Sequence, residues 1–358
     1  MRANATIFGM IVAVPFLILS SRLIYEGHQV AFAILSLVLI SSMIKNLPLT
    51  VFGYYAAGYV AIDFVRGMVG NVNPVYPYES LGLLMFVLLG MLLVYAVMRS
   101  TAKKEFFFNA VCILAIVQMV LALMQAFAGF DLYVAVLNLF IETMSTISPD
   151  SAIGTMGNNN YLSGYLAMAF PFFLRKNWVY ALPSIILTLY VCNTSTAIAA
   201  FGAASAYYLF RFKKFRFVLP LAVVAAIAFY VIVSEGGSGQ TLVSDVRWKF
   251  WAAAIDRILN GGWWSILFGL GLGGKTGVAV NLHNEWVQTA FHFGIVGVGI
   301  VVWFISTLKT NDRLLKASII AIVVDCMGNH PMHLIPSAIL IMVVLALAAR
   351  DGMEIKIA

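Results

Sequence analysis

"FGLGLGGKTGVAVNLHNEW", residues 268–286, holds the choice between two folds. Gly269, Gly274, Lys275 and Thr276 satisfy G-x-x-x-x-G-K-[ST], the loop that cradles nucleotide phosphates between a strand and a helix of an α/β domain. The surroundings argue otherwise. The match lies in a loop of about 49 residues between apolar runs, too small for a nucleotide-binding domain. The preceding "WWSILFGLG" reads as an interfacial or re-entrant segment, with Trp263 and Trp264 at headgroup depth. The stretch is therefore read as a glycine-rich segment outside the membrane, where glycines allow close backbone approach. Nucleotide binding is not expected.

Composition fixes the class. Of 358 residues, 62% are hydrophobic and 10% charged, and the mean hydropathy is +0.95. Soluble domains carry roughly 25% charged residues, so the chain lacks the polar surface to cover a soluble globule. We read an all-α polytopic membrane bundle in one domain, with the lipid bilayer as its partner. Twelve apolar segments fall at about 5–21, 30–44, 48–62, 81–98, 109–127, 161–174, 178–192, 195–210, 217–233, 283–308, 314–327 and 332–349. The first resembles a signal peptide, but the many apolar runs behind it favour a retained span.

Alternate ends carry Lys and Arg unequally, 16 against 6 when Arg2 is counted. The positive-inside rule then puts both termini in the cytoplasm. The net charge of +7 follows from these clusters and does not imply nucleic acid. Loops at about 128–160 and 234–282 lie outside. Segments 161–174, 178–192 and 195–210 are short: fifteen residues of helix reach about 22 Å against a hydrocarbon core of about 30 Å. Their inner ends are pinned by Arg175-Lys176 and by the 211–216 cluster, so their outer ends leave a recess. Cys112, Cys192 and Cys326 form no C-x-x-C pair and read as buried thiols.

Polar residues near spans are functional suspects, and nearly all of them gather on the outer side. Asn158, Asn159 and Asn160 open one span; a helix cap needs one of them. Asp63 and Arg66 are i, i+3 neighbours that either pair or leave Arg66 for an anion. "CNTSTA", 192–197, reads as a capped turn. "SDVRWKFWAAAIDRIL", 244–259, reads as an amphipathic helix on the outer surface. Its apolar stripe is Val246, Phe250, Trp251, Ala254, Ile255 and Ile258. Arg247 there either snorkels or turns inward to hold a phosphate bidentately. Asn284, Gln288 and His292 form a polar stripe at i, i+4, i+8 into another span. His283 is the best candidate general base, since imidazole titrates near neutrality. "DCMGNHPMH", 325–333, brings His330 to the same face. No metal-binding spacing is visible, and no cofactor is expected.

"GTMGNNNYLSGYLAMAFPFFL", "SDVRWKFW", "LFGLGLGG" and "LHNEWVQTAFHFGIVG", in this order, resemble the O-antigen ligase and O-antigen polymerase superfamily of bacterial envelope glycosyltransferases. The corresponding pieces there are G-N-x-N opening a span, R-x-x-x-W, F-G-x-G, and H-N-x-x-L-Q-x-x-x-x-x-G-x-x-G. The likeness covers about residues 154–300. It implies a glycan donor on a polyprenyl diphosphate, at the outer face of the bacterial cytoplasmic membrane. It also implies a sugar hydroxyl acceptor, on lipid A–core or on a growing chain, and no nucleotide or metal. His283 would deprotonate the acceptor and Arg247 would bind the diphosphate, with inversion at the anomeric centre. Asn158, Asn160, Asn284, Gln288, Arg66, Lys275 and His330 are the candidate binding residues. The sequence departs from the pattern where Thr196 follows Thr194-Ser195 in place of an arginine; Arg66 or Lys275 would substitute. Val287 for leucine and Trp286 are mild departures. A transporter or flippase of lipid-linked glycans, or an inactive relative, is the alternative.

Overall fold

The computed structural model describes residues 38, 41, 43, 47, 48, 50–58, 89–128, 156, 158–175, 178–192, 194–210, 245–271, 282–333 and 335–357. The expected spans 5–21 and 217–233, and residues Asp63, Arg66 and Lys275, lie outside them. Each expected span that falls among the described residues is helical, and no strand occurs among them.

Two helices are long and apolar enough to cross a membrane. They are Lys104–Phe127, where an α-helix runs on into a π turn, and Glu285–Thr307. The core helix of a soluble protein is mostly buried; only 33% of each apolar window is buried here. On the first helix, Phe108, Val111, Cys112, Ala115, Met119 and Ala122 form one buried stripe at three-and-four spacing. Phe106, Ile113, Leu114, Val117 and Val120 stand exposed around it. Apolar side chains turned outward over a whole helix suit contact with a membrane or another protein surface rather than with water.

The chain forms two compact units. One comprises Ser100–Lys249, Asn281–Trp286 and Lys309–Ala358. Its centre is the helix Asn159–Ala169, buried from Leu162 to its last residue. Small residues Ser163, Gly164 and Ala167 let helices approach closely. Around it pack Lys104–Leu123, Leu182–Cys192, Ser195–Leu209, Arg313–Asp325 and Ile335–Ile357. It tightens into a 3-10 turn, Phe170–Leu174, at Pro171, where Phe172 stacks on Phe108 with ring centres 4.7 Å apart. The three cysteines are buried and unbridged, as expected. The shortness of these helices is as read from the sequence: 11 residues in Asn159–Ala169 and in Leu182–Cys192, and 15 in Ser195–Leu209.

A polar clasp ties three helix ends of this unit. Lys104 Nζ lies 3.0 Å from Asp351 Oδ2 and 3.6 Å from Asp312 Oδ2. Thr310 Oγ1 donates to the same Asp351 oxygen at 2.6 Å. Asp312 caps its helix by accepting from Leu314 N at 2.9 Å. Arg350 Nη1 donates to the carbonyls of Ser100 and Ala102. Where charged groups pair, as Lys104 does with Asp351, Coulomb attraction adds to hydrogen bonding.

The other unit comprises Met1–Arg99, Phe250–Val280 and Val287–Leu308. Here the structure corrects the reading of 283–308 as one continuous span. Glu285–Thr307 is broken at Gly294, where φ is 66° and ψ is −170°, a region open essentially to glycine alone. A break frees carbonyls that the helix no longer pairs. Leu270 N donates to Phe291 O at 2.8 Å and Gly271 N to His292 O at 3.3 Å. Tyr55 Oη donates to Phe293 O at 2.7 Å. His292 Nδ1 bonds Gly271 O at 2.8 Å and its Nε2 bonds Gln288. The backbones meet so closely that a Cβ on Gly294 would lie 2.3 Å from Leu267 O, and one on Gly269 2.4 Å from His292 O.

The expected close approach of the glycine-rich stretch is therefore this docking. Gly269 ends a helix, Gly262–Phe268, whereas a phosphate loop follows a strand. Gly274, Lys275 and Thr276 lie outside the described residues.

The amphipathic helix runs Asp245–Asn260. Of the expected stripe, Phe250, Trp251 and Ile258 are half-buried, and one residue departs from it. Ala254 is buried, whereas Ile255 is exposed together with Trp248 and Leu259. These three, at i, i+7 and i+11, share one side, so the outward apolar stripe is Trp248–Ile255–Leu259.

Candidate active site

Within the Ser100–Lys249, Asn281–Trp286 and Lys309–Ala358 unit, four separate stretches meet: 158–163, Arg247, 282–286 and 325–333. The tie runs through the turn after Arg313–Asp325. Glu285 N donates to Cys326 O at 2.9 Å and Asn329 O at 3.1 Å. Asn284 Nδ2 donates to Met327 O at 2.8 Å, and Asn284 Oδ1 caps the helix through Trp286 N at 3.0 Å. Arg247 Nη1 donates to Gly328 O at 2.9 Å.

His283 sits just before the helix, with φ at 51°, the one non-glycine residue in the left-handed region among the described residues. Histidine visits that region more readily than most residues, but such a placement is held by its surroundings. The His283 ring lies edge-on to His330, centres 4.6 Å apart. His330 Nε2 is in turn bonded to Tyr161 Oη at 3.0 Å. Burial, and then the nearby Arg247 charge, push the His283 imidazole below its ordinary value. It is therefore a free base at neutral pH, with a cation beside it.

The three asparagines divide their work. Asn158 caps the helix by accepting from Asn160 N at 2.8 Å. Asn159 Nδ2 donates to Cys192 O at 3.1 Å. The Asn160 side chain is half-buried and makes no hydrogen bond among the described residues. The reading of "CNTSTA" as a capped turn needs correction. Thr194 stands at the N-cap position of Ser195–Leu209 but makes no cap bond. Its hydroxyl pairs with Ser163 Oγ, which reaches Asn159 O at 2.8 Å.

Thr196, where the family pattern has arginine, is buried against Gly328, so closely that a Cβ on that glycine would lie 2.5 Å from Thr196 Oγ1. The carbonyl that receives Arg247 is thus backed by Thr196. Beneath the cluster, the Asp325 carboxyl is 1% exposed and accepts from Asn329 Nδ2 at 2.8 Å.

Arg247, His283, Asn160 and His330 are therefore gathered in one place, with Asn158 and Asn284 in supporting positions. Gln288 belongs to the other unit, bonded to His292. Arg66 and Lys275 lie outside the described residues. Sequence reasoning missed Tyr161; its only signal was position, one residue past the asparagines. Among the described residues no group of three His, Cys, Asp or Glu is placed to hold a metal ion.

Comparison with protein-family models and with curated proteins returns no match.

The shifted imidazole gives a pH prediction. A lowered value keeps His283 unprotonated to lower pH, so the acidic limb of any activity that uses it as a base falls below 6.5. Arg247→Met removes the repelling charge and moves the limb of the residual activity upward. A limb above 6.5 in the unaltered protein, or one that stays put in Arg247→Met, contradicts this account.

Proposed function

We propose that the chain is a polytopic membrane glycosyltransferase of about twelve spans, acting at the outer face of the bacterial cytoplasmic membrane. It moves a glycan from a polyprenyl diphosphate to a sugar hydroxyl, as an O-antigen ligase or polymerase does. The observation that carries the reading is the pairing, in one cluster, of an imidazole kept neutral with an arginine beside it. His283 Nε2 or Nδ1 takes the acceptor hydroxyl proton as that oxygen attacks the anomeric carbon. The bond from that carbon to the diphosphate oxygen breaks, and the configuration inverts. Arg247 offsets the charge that builds on the leaving diphosphate; donors aimed at developing charge give the largest catalytic gains. Asn160 offers both a donor and an acceptor to a sugar.

A transporter of lipid-linked glycans is the second reading, favoured by the broken helix at Gly294, since transporters bind ions at such breaks. Against it, the carbonyls of Phe291, His292 and Phe293 all accept protein hydrogen bonds. The experiment is transfer by the purified chain in detergent, with a polyprenyl-diphosphate oligosaccharide and candidate acceptors. Release of polyprenyl diphosphate with a new glycosidic bond is expected. Movement of the intact donor from one leaflet to the other in reconstituted vesicles, without bond exchange, would favour the transporter.

A further inference from the structure

The helices Ser195–Leu209 and Arg313–Asp325 both carry the candidate site at one end: Thr194 and Thr196 at the start of the first, Asp325 at the finish of the second. At their other ends, one helix length or about 20 Å away, a cavity of about 460 Å³ opens. Ala206, Tyr207, Phe210 and Arg313 line it. Tyr207 and Phe210 are exposed aromatic walls. The Arg313 side chain is exposed and makes no ion pair or hydrogen bond among the described residues. The neighbouring carboxylate does not neutralise it, because Asp312 caps its own helix and lies 3.6 Å from Lys104 Nζ. Lys316 follows one turn later, and the chain after Phe210 reads Arg211, Lys213, Lys214, Arg216.

We propose that this cavity binds an anionic phospholipid of the cytoplasmic leaflet, its phosphate on Arg313 and its acyl chains along Tyr207 and Phe210. The guanidinium fork matches phosphate geometry. Aromatic rings suit the boundary between headgroup and acyl chain, and basic clusters at the inner face draw anionic lipid. A soluble phosphate would leave the aromatic walls uncovered. This goes beyond the transferase reading; it rests on the proposed membrane setting, with Arg313 on the cytoplasmic side, and not on catalysis.

The test is native mass spectrometry of the full chain in detergent, with phosphatidylglycerol and phosphatidylcholine of matched acyl chains. Phosphatidylglycerol is expected to be retained at least ten-fold over phosphatidylcholine. Arg313→Gln should bring retention down to the phosphatidylcholine level, and Arg257→Gln, an exposed arginine elsewhere, should leave it unchanged. Thermal unfolding of Arg313→Gln should match the unaltered protein, because the side chain has no polar partner to lose among the described residues. Equal retention of the two lipids, or unchanged retention in Arg313→Gln, overturns the site. Displacement of the lipid by equimolar glycerol phosphate would make it a soluble-phosphate site and overturn it too. The readout is binding, so a failure of glycan transfer leaves this result standing.

Discussion

Replacing His283 by asparagine is expected to lower glycan transfer by roughly 10²–10⁴-fold, the range supplied by a positioned general base. Asparagine is the informative substitution. It accepts the left-handed backbone that His283 holds at φ 51°, but its amide cannot take a proton. Alanine would remove the base and strain the backbone together. The variant should unfold within a few degrees of the unaltered protein. Transfer at an undiminished rate in His283→Asn, with the fold intact, removes the base assignment.

Gly294→Ala is expected to have the largest effect on stability. The position lies at φ 66°, ψ −170°, and such conformations cost about 1–3 kcal/mol for a residue with a side chain. The added carbon would also stand 2.3 Å from Leu267 O and 2.5 Å from Gly269 N. Both are backbone atoms, so neither can swing aside. The combined loss should exceed ~3 kcal/mol, within the range of severe single substitutions. The protein should then either fail to accumulate or unfold many degrees lower in detergent. Gly299→Ala in the same helix is the control, because its added carbon meets nothing within 4 Å. There alanine should be neutral or gain about 0.5–1 kcal/mol. Equal behaviour of the two variants would mean that the break is not a fixed feature.

The sequence carried the elements well because helix formation by long apolar runs is local. Residues 161–174, 178–192 and 195–210 announced short helices through the charges that bound them. The break at Gly294 was not legible, since its cause lies some twenty residues upstream, in the docking of Leu267–Gly271. On Asp245–Asn260 the expected stripe departs at Ile255, which joins Trp248 and Leu259 on an exposed apolar side that the sequence did not separate from the buried one. At the site, His283, Arg247 and Asn160 stood out as polar residues among apolar ones. Tyr161 did not, because a tyrosine at the end of a span is ordinary. Thr194 was misread because a hydroxyl at a helix start caps by default, and only the fold brings Ser163 to it.

Synthesis proceeds from Gly262 towards Thr307, so Leu270 and Gly271 emerge before the carbonyls they bind. An unpaired amide in hydrocarbon costs several kcal/mol. Until that partner is made the amides of the segment have no acceptor there, and the exposed Trp263 and Trp264 stand beside them. The break in Glu285–Thr307 presents those acceptors, and the backbone at Leu270 and Gly271 bonds them. The docking therefore depends on a segment made later in the chain: neither Leu267–Gly271 nor the broken helix is satisfied without the other.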